Sequence, residues 1–368
     1  MVAKISKCVM NAEHHIAVIG GGKIGELVIA LLARQYRVSV YDLDLRRAEA
    51  GASGGAAEAA QLDVNDEKAL LRALEDKSLV INCCPHYCNL PIARAACQAG
   101  VSYLDLSEDV ETGNRIEEMA RDAPNYFVPR CGIAPGFIQI VASHIMQDYE
   151  TVEKAHLRVG ALPENPTNAL KYNLTWSTDG LINEYGNPCE ALVKGRLQTL
   201  EPLEGYERLI IDGVEYEAFN TSGGLGTLAS SMEGKVQDLN YKTIRYLGHR
   251  DLMKFLLFDL KLNEYRTILK QILESAVPTT QQDRVVALVS VVGAKQGLLT
   301  QQTYAKTVRH GELCGRRRSA IQIITASSVA SVADLAVRGR LPHRGYVRQE
   351  EIDFNAFCAT PYGELFKK

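Results

Sequence analysis

The sequence predicts an α/β protein: a doubly wound parallel sheet first, then a second α/β domain built on a mixed or antiparallel sheet. Three observations predict it. Strand-like and helix-like stretches alternate from residue 14 to residue 131, a glycine-rich turn joins the first of each, and the alternation stops near Gly132. At 368 residues the chain is too long for one compact core, so two domains are expected.

The first strand is His-Ile-Ala-Val-Ile, running into Gly20-Gly21-Gly22. Residues 23–35 then place Ile24, Leu27, Val28, Leu31 and Leu32 at helical spacing. Residues 37–41 form a second strand stopping at Asp42. The alternation continues with 59–64 (strand), 66–76 (helix), 79–84 (strand), 91–99 (helix), 102–106 (strand), 110–121 (helix) and 126–131 (strand). Strands separated by helices at this spacing imply right-handed crossovers and parallel pairing. Beyond Gly132 the pattern shifts to short alternating stretches, 155–159 and 172–176, with a further strand at 284–293. Residues 251–262 and 264–275 have helical period, and 319–338 read as an Ala- and Ser-rich close-packed helix returning to the first domain. The expected division is 1–132, with 319–368 packed back on it, and 133–318 as the second, substrate-binding domain.

Composition narrows the function classes. Apolar residues make up 46% and charged residues 23%, with a net charge of −3, so no basic footprint for nucleic acid or an anionic membrane is present. The Arg316-Arg317-Arg318 run reads as a solvated surface. No run of consecutive apolar residues has the length of a membrane span, and residues 1–13 lack the apolar core of a secretory signal. Nine cysteines without a disulfide rhythm fit a reducing compartment, so the cytoplasm is expected. Cys83, Cys84, His86 and Cys88 lie close together, but Cys83 and Cys84 point to opposite faces of a strand, and no metal site is expected.

Gly20-Gly21-Gly22-Lys23-Ile24-Gly25 carries the chemistry of the first domain. Gly20 permits a tight strand-to-helix turn, Gly22 lets backbone approach a pyrophosphate, and Gly25 lets helix pack on strand. The diphosphate then meets the unpaired N–H groups of the helix N-terminus, including those of Lys23 and Ile24. Asp42, ending the second strand, suits the ribose hydroxyls of NAD and repels the 2′-phosphate of NADP; Arg46 and Arg47, a turn later, oppose that preference. This is a Rossmann arrangement with NAD expected ahead of NADP. Asp63 and Val64 end the third strand, where the adenine is covered. Cys84, Pro85 and His86 end the fourth, Asp105 the fifth, and all are expected around the coenzyme.

The chain resembles the saccharopine dehydrogenase superfamily, and within it the lysine 6-dehydrogenase branch. The first domain contributes the glycine turn, Asn82-Cys83-Cys84-Pro85-His86-Tyr87 and Gly132-Ile133-Ala134-Pro135-Gly136. The second contributes three longer runs, from Tyr172 through Trp176 to Glu184-Tyr185, from Glu217 through Thr221 to Leu228, and from Leu239 to His249. Leu247 stands where that pattern carries Pro.

The resemblance implies NAD(P)-linked oxidation of an amine-bearing carbon, with the ε-amine of lysine as leading substrate and the semialdehyde, cyclising to an imine, as product. It also implies a homodimer. A saccharopine- or carboxynorspermidine-type reductase is the alternative reaction, and an inactive NAD-binding sensor the alternative class. Amine oxidation needs a proton acceptor. His86, Asp105 and Glu108 stand at strand ends, with Glu184 and His249 in the second domain, and no local motif chooses among them. Arg245 is expected to fork onto a substrate carboxylate, with Tyr172, Trp176, Thr221, Tyr241, Lys242 and His249 around the substrate.

Overall fold

The computed structural model describes residues 11–367. Residues 1–10, part of the stretch read above for a secretory signal, and Lys368 lie outside it. The described chain divides into two compact units: residues 11–140 with Glu312–Arg316 and Gln322–Lys367, and Val141–Gly311 with Arg317–Ile321.

The first unit is built on β1 (Asn11–Ile19), α1 (Lys23–Leu32), β2 (Tyr36–Asp42), α2 (Leu45–Ala52), β3 (Glu58–Gln61), α3 (Glu67–Leu74) and β4 (Leu79–Asn82). It continues through α4 (Asn89–Ala99), β5 (Ser102–Asp105), α5 (Val110–Ala120) and β6 (Tyr126–Val128); the division falls within α6 (Phe137–Met146). Every pairing in its sheet is parallel, in the order β3-β2-β1-β4-β5-β6. That order is the doubly wound one, with the switch point between β1 and β4. Ile16, Ala17 and Val18 are fully buried, as are Leu79, Val80 and Ile81, because helices cover both faces of a parallel sheet.

In the second unit, β7 (Thr151–Pro163), α7 (Thr178–Gly186), β8 (Cys189–Val193), β9 (Arg196–Leu200), β10 (Glu207–Ile211) and β11 (Val214–Asn220) come first. Then follow α8 (Leu228–Met232), β12 (Val236–Tyr246), α9 (His249–Lys254), α10 (Arg266–Ala276), β13 (Asp283–Lys295) and β14 (Leu298–Arg309). The main path of this eight-stranded sheet is β10-β11-β12-β7-β13-β14. Only β12 and β7 pair in parallel, so the sheet is mixed. Residues 172–176, expected as a strand, are irregular, with one bridge from Leu174 to Thr279. Their alternation reflects side chains entering a buried cluster with α7 and α10 rather than a ladder.

A hairpin of β15 (Gly311–Leu313) and β16 (Arg316–Arg318) precedes α11 (Ala320–Val337), β17 (Gly345–Tyr346) and α12 (Phe354–Ala359). β17 pairs in parallel with β6 and extends the first sheet to seven strands. By length and hydropathy α11 suffices to cross a membrane, yet 89% of it is buried inside the protein, which makes it a core helix. Its polar residues are matched: the Ser328 hydroxyl donates to Gly132 O at 2.8 Å, and Asp334 accepts from Tyr36 and Arg338. In the Arg316–Arg318 run, Arg316 and Arg317 are exposed but Arg318 is buried, against the expectation of a solvated run.

Candidate active site

The glycine turn is made of main chain in close contact with main chain. Gly20 has φ +102°, and its N–H donates to Tyr41 O at 2.7 Å. A Cβ at Gly25 would stand 1.8 Å from Gly20 O, so no other residue lets α1 start so close to β1. A Cβ at Gly22 would meet nothing within 4 Å, which is the open cradle a diphosphate needs. Asp44, Asp66 and Asp109 cap α2, α3 and α5 with their carboxylates, but no side chain caps α1. Its first amides stay available to an anion.

Asp42 closes this turn from β2. Its carboxylate accepts from Gly21 N at 2.8 Å and Asp44 N at 3.0 Å, which leaves lone pairs on both oxygens for ribose hydroxyls. Arg46 and Arg47 are exposed in the first turn of α2. Asp63 is exposed and caps a turn by accepting from Asn65 N at 2.9 Å, while Val64 packs on the core. Cys84 N donates to Asn82 Oδ1 at 2.9 Å, and its Sγ would lie 3.1 Å from a Cβ at Gly20, so that thiol presses on the turn. Pro85 is exposed and His86 half-buried at the start of a 3₁₀ turn, His86–Cys88.

Asp105 has a different task from the proton acceptor expected of it. Only 1% exposed, it accepts from Tyr103 Oη (2.8 Å), Arg130 N (2.9 Å) and Ser107 N (3.0 Å). Burial raises its pKa against those bonds, and its carboxylate is committed to tying the end of β5 to the segment at Arg130. Glu108 is the more available acid. Burial lifts its pKa, and the charge of His86 pulls it back, which places the two side chains within electrostatic reach.

The second unit gathers Tyr172 of the irregular segment before α7, Glu184 and Tyr185 of α7, Arg245 of β12 and His249 of α9. Arg245 is 3% exposed, with its Cζ 5.1 Å from the ring centre of Tyr172 and 5.7 Å from that of Tyr185. Nε donates to Tyr185 Oη at 2.7 Å and Nη1 to Ile244 O at 3.0 Å. Burial opposes its charge, but Tyr185, Tyr172 and Glu184 outweigh it and raise the pKa further. Among the described residues Arg245 forms no ion pair. Its cross-strand partner Glu217 spends both carboxylate oxygens on Gly248 N and Arg250 N. Glu184, 9% exposed, acts on Arg245 through its charge. Trp176 Nε1 donates to Tyr172 Oη at 3.1 Å, Thr221 and Thr243 share a hydroxyl bond of 2.7 Å, and Tyr241 packs on Gly224.

Two of the residues expected around the substrate are engaged with other partners. Strand periodicity puts Tyr241, Thr243 and Arg245 on one face of β12 and Lys242 on the other. Lys242 Nζ bonds Glu207 Oε2 at 2.7 Å, together with Arg158. Burial pushes the Glu207 carboxyl up, but those two cations hold it below the usual carboxylate range. His249 is fully buried with both ring nitrogens bonded, to Tyr185 Oη at 3.0 Å and to Leu170 O at 2.7 Å. It touches the arginine's partner rather than open space. Tyr185, which the sequence offered only as the last residue of the family-like run from Tyr172, connects the two.

Two family descriptions match this chain: saccharopine dehydrogenase NADP binding domain over residues 16–127, and saccharopine dehydrogenase C-terminal domain over residues 132–368. The chain belongs to the saccharopine dehydrogenase family. A curated member, the saccharopine dehydrogenase (NADP(+), L-glutamate-forming) of Schizosaccharomyces pombe, is 25% identical over 201 residues, 50% of this chain and 43% of that protein. The mitochondrial alpha-aminoadipic semialdehyde synthase of Mus musculus is 22% identical over 224 residues, 55% of this chain and 24% of that protein. The matches thus span less than half the length of these relatives. A solved saccharopine dehydrogenase (L-Glu forming) from Saccharomyces cerevisiae superposes with a TM-score of 0.78 at 17% identity, covering 94% of this chain and 96% of that one. That likeness shows the family's fold, and a nicotinamide dinucleotide is the group its first unit fits.

Proposed function

We propose that this chain is a nicotinamide-dependent oxidoreductase of amino acids that oxidises L-lysine at its ε-amine, with NAD as coenzyme. The observation that carries this reading is Arg245, a buried cation with no carboxylate bonded to it and free N–H groups on Nη2. A buried guanidinium is costly without an anion, and a substrate carboxylate supplies one. Glu184 stands within electrostatic reach of Arg245 and offers the opposite charge for the α-ammonium, so the pair suits an amino acid zwitterion.

When bound, the nicotinamide supplies the acceptor for hydride from the amine-bearing carbon. Overall, the protonated amine, water and oxidised coenzyme give aldehyde, ammonium, reduced coenzyme and a proton. The chain must hold the α-carboxylate, keep the ε-amine neutral and take protons. Glu108, with its pKa lifted by burial, is the acid of the first unit that best meets the last need.

Asp42 supports NAD, because a 2′-phosphate beside its carboxylate meets like charge. A second reading, a saccharopine-type reductase using NADP, is favoured by exposed Arg46 and Arg47 and by the NADP in the names of the relatives. One assay separates them. Purified protein is given NAD or NADP with L-lysine, L-ornithine or saccharopine, and reduced nicotinamide is followed by absorbance. Turnover of lysine with NAD supports the first reading, and turnover of saccharopine alone with NADP replaces it with the second.

A further inference from the structure

Beyond the arginine itself, the second unit holds a hydrogen-bond chain with one possible direction. Arg245 Nε is a donor only, so the Tyr185 oxygen accepts from it at 2.7 Å. The Tyr185 proton is then turned toward His249 Nε2, 3.0 Å away, which must accept. Leu170 O, a carbonyl, only accepts, so His249 Nδ1 carries the imidazole proton across 2.7 Å. One tautomer satisfies all three contacts. Tyr185 and His249 are both 0% exposed, so water does not offer an alternative partner.

The rings hold the chain in place from the sides. His249 lies 5.3 Å from Tyr172 and 5.7 Å from Tyr185, the latter edge-on at 78°, and stacks on Phe219 at 12°. Arg245 is clamped over the same two tyrosines. With Nε bonded to Tyr185 and Nη1 to Ile244 O, the guanidinium is fixed in rotation, and its unspent donors are on the terminal nitrogens.

We propose that Tyr185 and His249 are positioning residues for Arg245: the directed chain Arg245–Tyr185–His249–Leu170 sets which edge of the guanidinium receives a substrate carboxylate. This rests on the reading of Arg245 given above. Neither residue touches substrate; both act through the arginine. His249 also stays uncharged beside it, since burial and the Arg245 charge push its pKa down to about 3.

The test compares L-lysine with 1,5-diaminopentane, the same chain without the carboxylate. Affinities for both are read from the fluorescence of Trp176, the only tryptophan, which donates to the hydroxyl of Tyr172, whose ring lies against Arg245; kcat and KM are measured alongside. Tyr185→Phe should weaken lysine roughly tenfold, through Kd and KM rather than kcat, and leave the diamine and dinucleotide affinities within twofold. His249→Gln, which keeps an acceptor near the Nε2 position, should recover part of the lysine affinity that His249→Leu loses. Equal weakening of lysine and the diamine would mean a structural role only, and unchanged lysine affinity would mean no role; either overturns the proposal. A wild-type protein with neither turnover nor fluorescence response to lysine overturns the reading of Arg245 itself, a distinguishable result.

Discussion

The candidate sites of the two units are built by opposite means. In the first, the turn after β1 is shaped by absent side chains: Gly20 at φ +102°, Gly25 with Gly20 O where a Cβ would be, and Gly22 facing open space. In the second, the site is all side chain. A loop tyrosine, a helix tyrosine, a strand arginine and a helix histidine are in contact, all buried, with a helix carboxylate acting on the arginine through its charge. A main-chain site tolerates changes in neighbouring side chains but no added Cβ; a side-chain site is sensitive to single hydrogen bonds.

That contrast can be broken by experiment, most severely at Gly25. Gly25→Ala puts a methyl group 1.8 Å from Gly20 O. Dinucleotide affinity should fall at least ~100-fold, about 2.7 kcal/mol, while the Trp176 response to lysine survives. Calorimetric titration with NAD and NADP checks this, with circular dichroism to show that the chain folds. Loss of both responses would mean that the two sites do not fail separately.

Arg245→Ala is the converse. It should cost about 2 kcal/mol of lysine binding, roughly 30-fold in kcat/KM, and leave dinucleotide affinity unchanged. Near-normal kcat/KM would remove Arg245 from the site.

His249 sharpens the comparison through pH. Burial and Arg245 depress its pKa from 6.5 to about 3 in the folded protein, with the rings of Tyr185, Tyr172 and Phe219 and Leu170 O completing its surroundings. Below pH 6.5 the unfolded chain binds a proton that the folded chain refuses, so the residue's contribution to stability falls as pH drops. The loss is about 1.4 kcal/mol per pH unit until the folded-state value is reached. Urea unfolding of wild type and His249→Phe over that range should show the difference between them shrinking as pH falls.

The smallest effect belongs to Asp42. Asp42→Ala should raise the KM for NAD several-fold, about 1 kcal/mol, and that for NADP less. Equal changes would take Asp42 out of coenzyme choice.

The same contrast explains what was legible in the sequence. Glycines whose backbone chemistry is local leave a local signature, so Gly20, Gly22, Gly25 and Asp42 were readable beside a strand-helix-strand rhythm, and the sheet followed from it. Asp105 was readable as a strand end but not as a carboxylate already bonded to Tyr103, Ser107 and Arg130, because Arg130 comes from a segment 25 residues away. Lys242 was grouped with Arg245 through proximity in sequence, although strand alternation sends neighbours to opposite faces. Tyr185 and His249 are 64 residues apart, and only tertiary structure joins them. Residues 172–176 alternate like a strand because alternate side chains enter the cluster, which local pattern does not distinguish from a ladder.

The most direct test of the Arg245 reading is a crystal structure of the protein with L-lysine bound. A carboxylate oxygen within hydrogen-bonding distance of Arg245 Nη2, with Nε still on Tyr185, is the predicted result. Lysine held with its carboxylate elsewhere, and Arg245 bonded only to Tyr185 and Ile244, would contradict it.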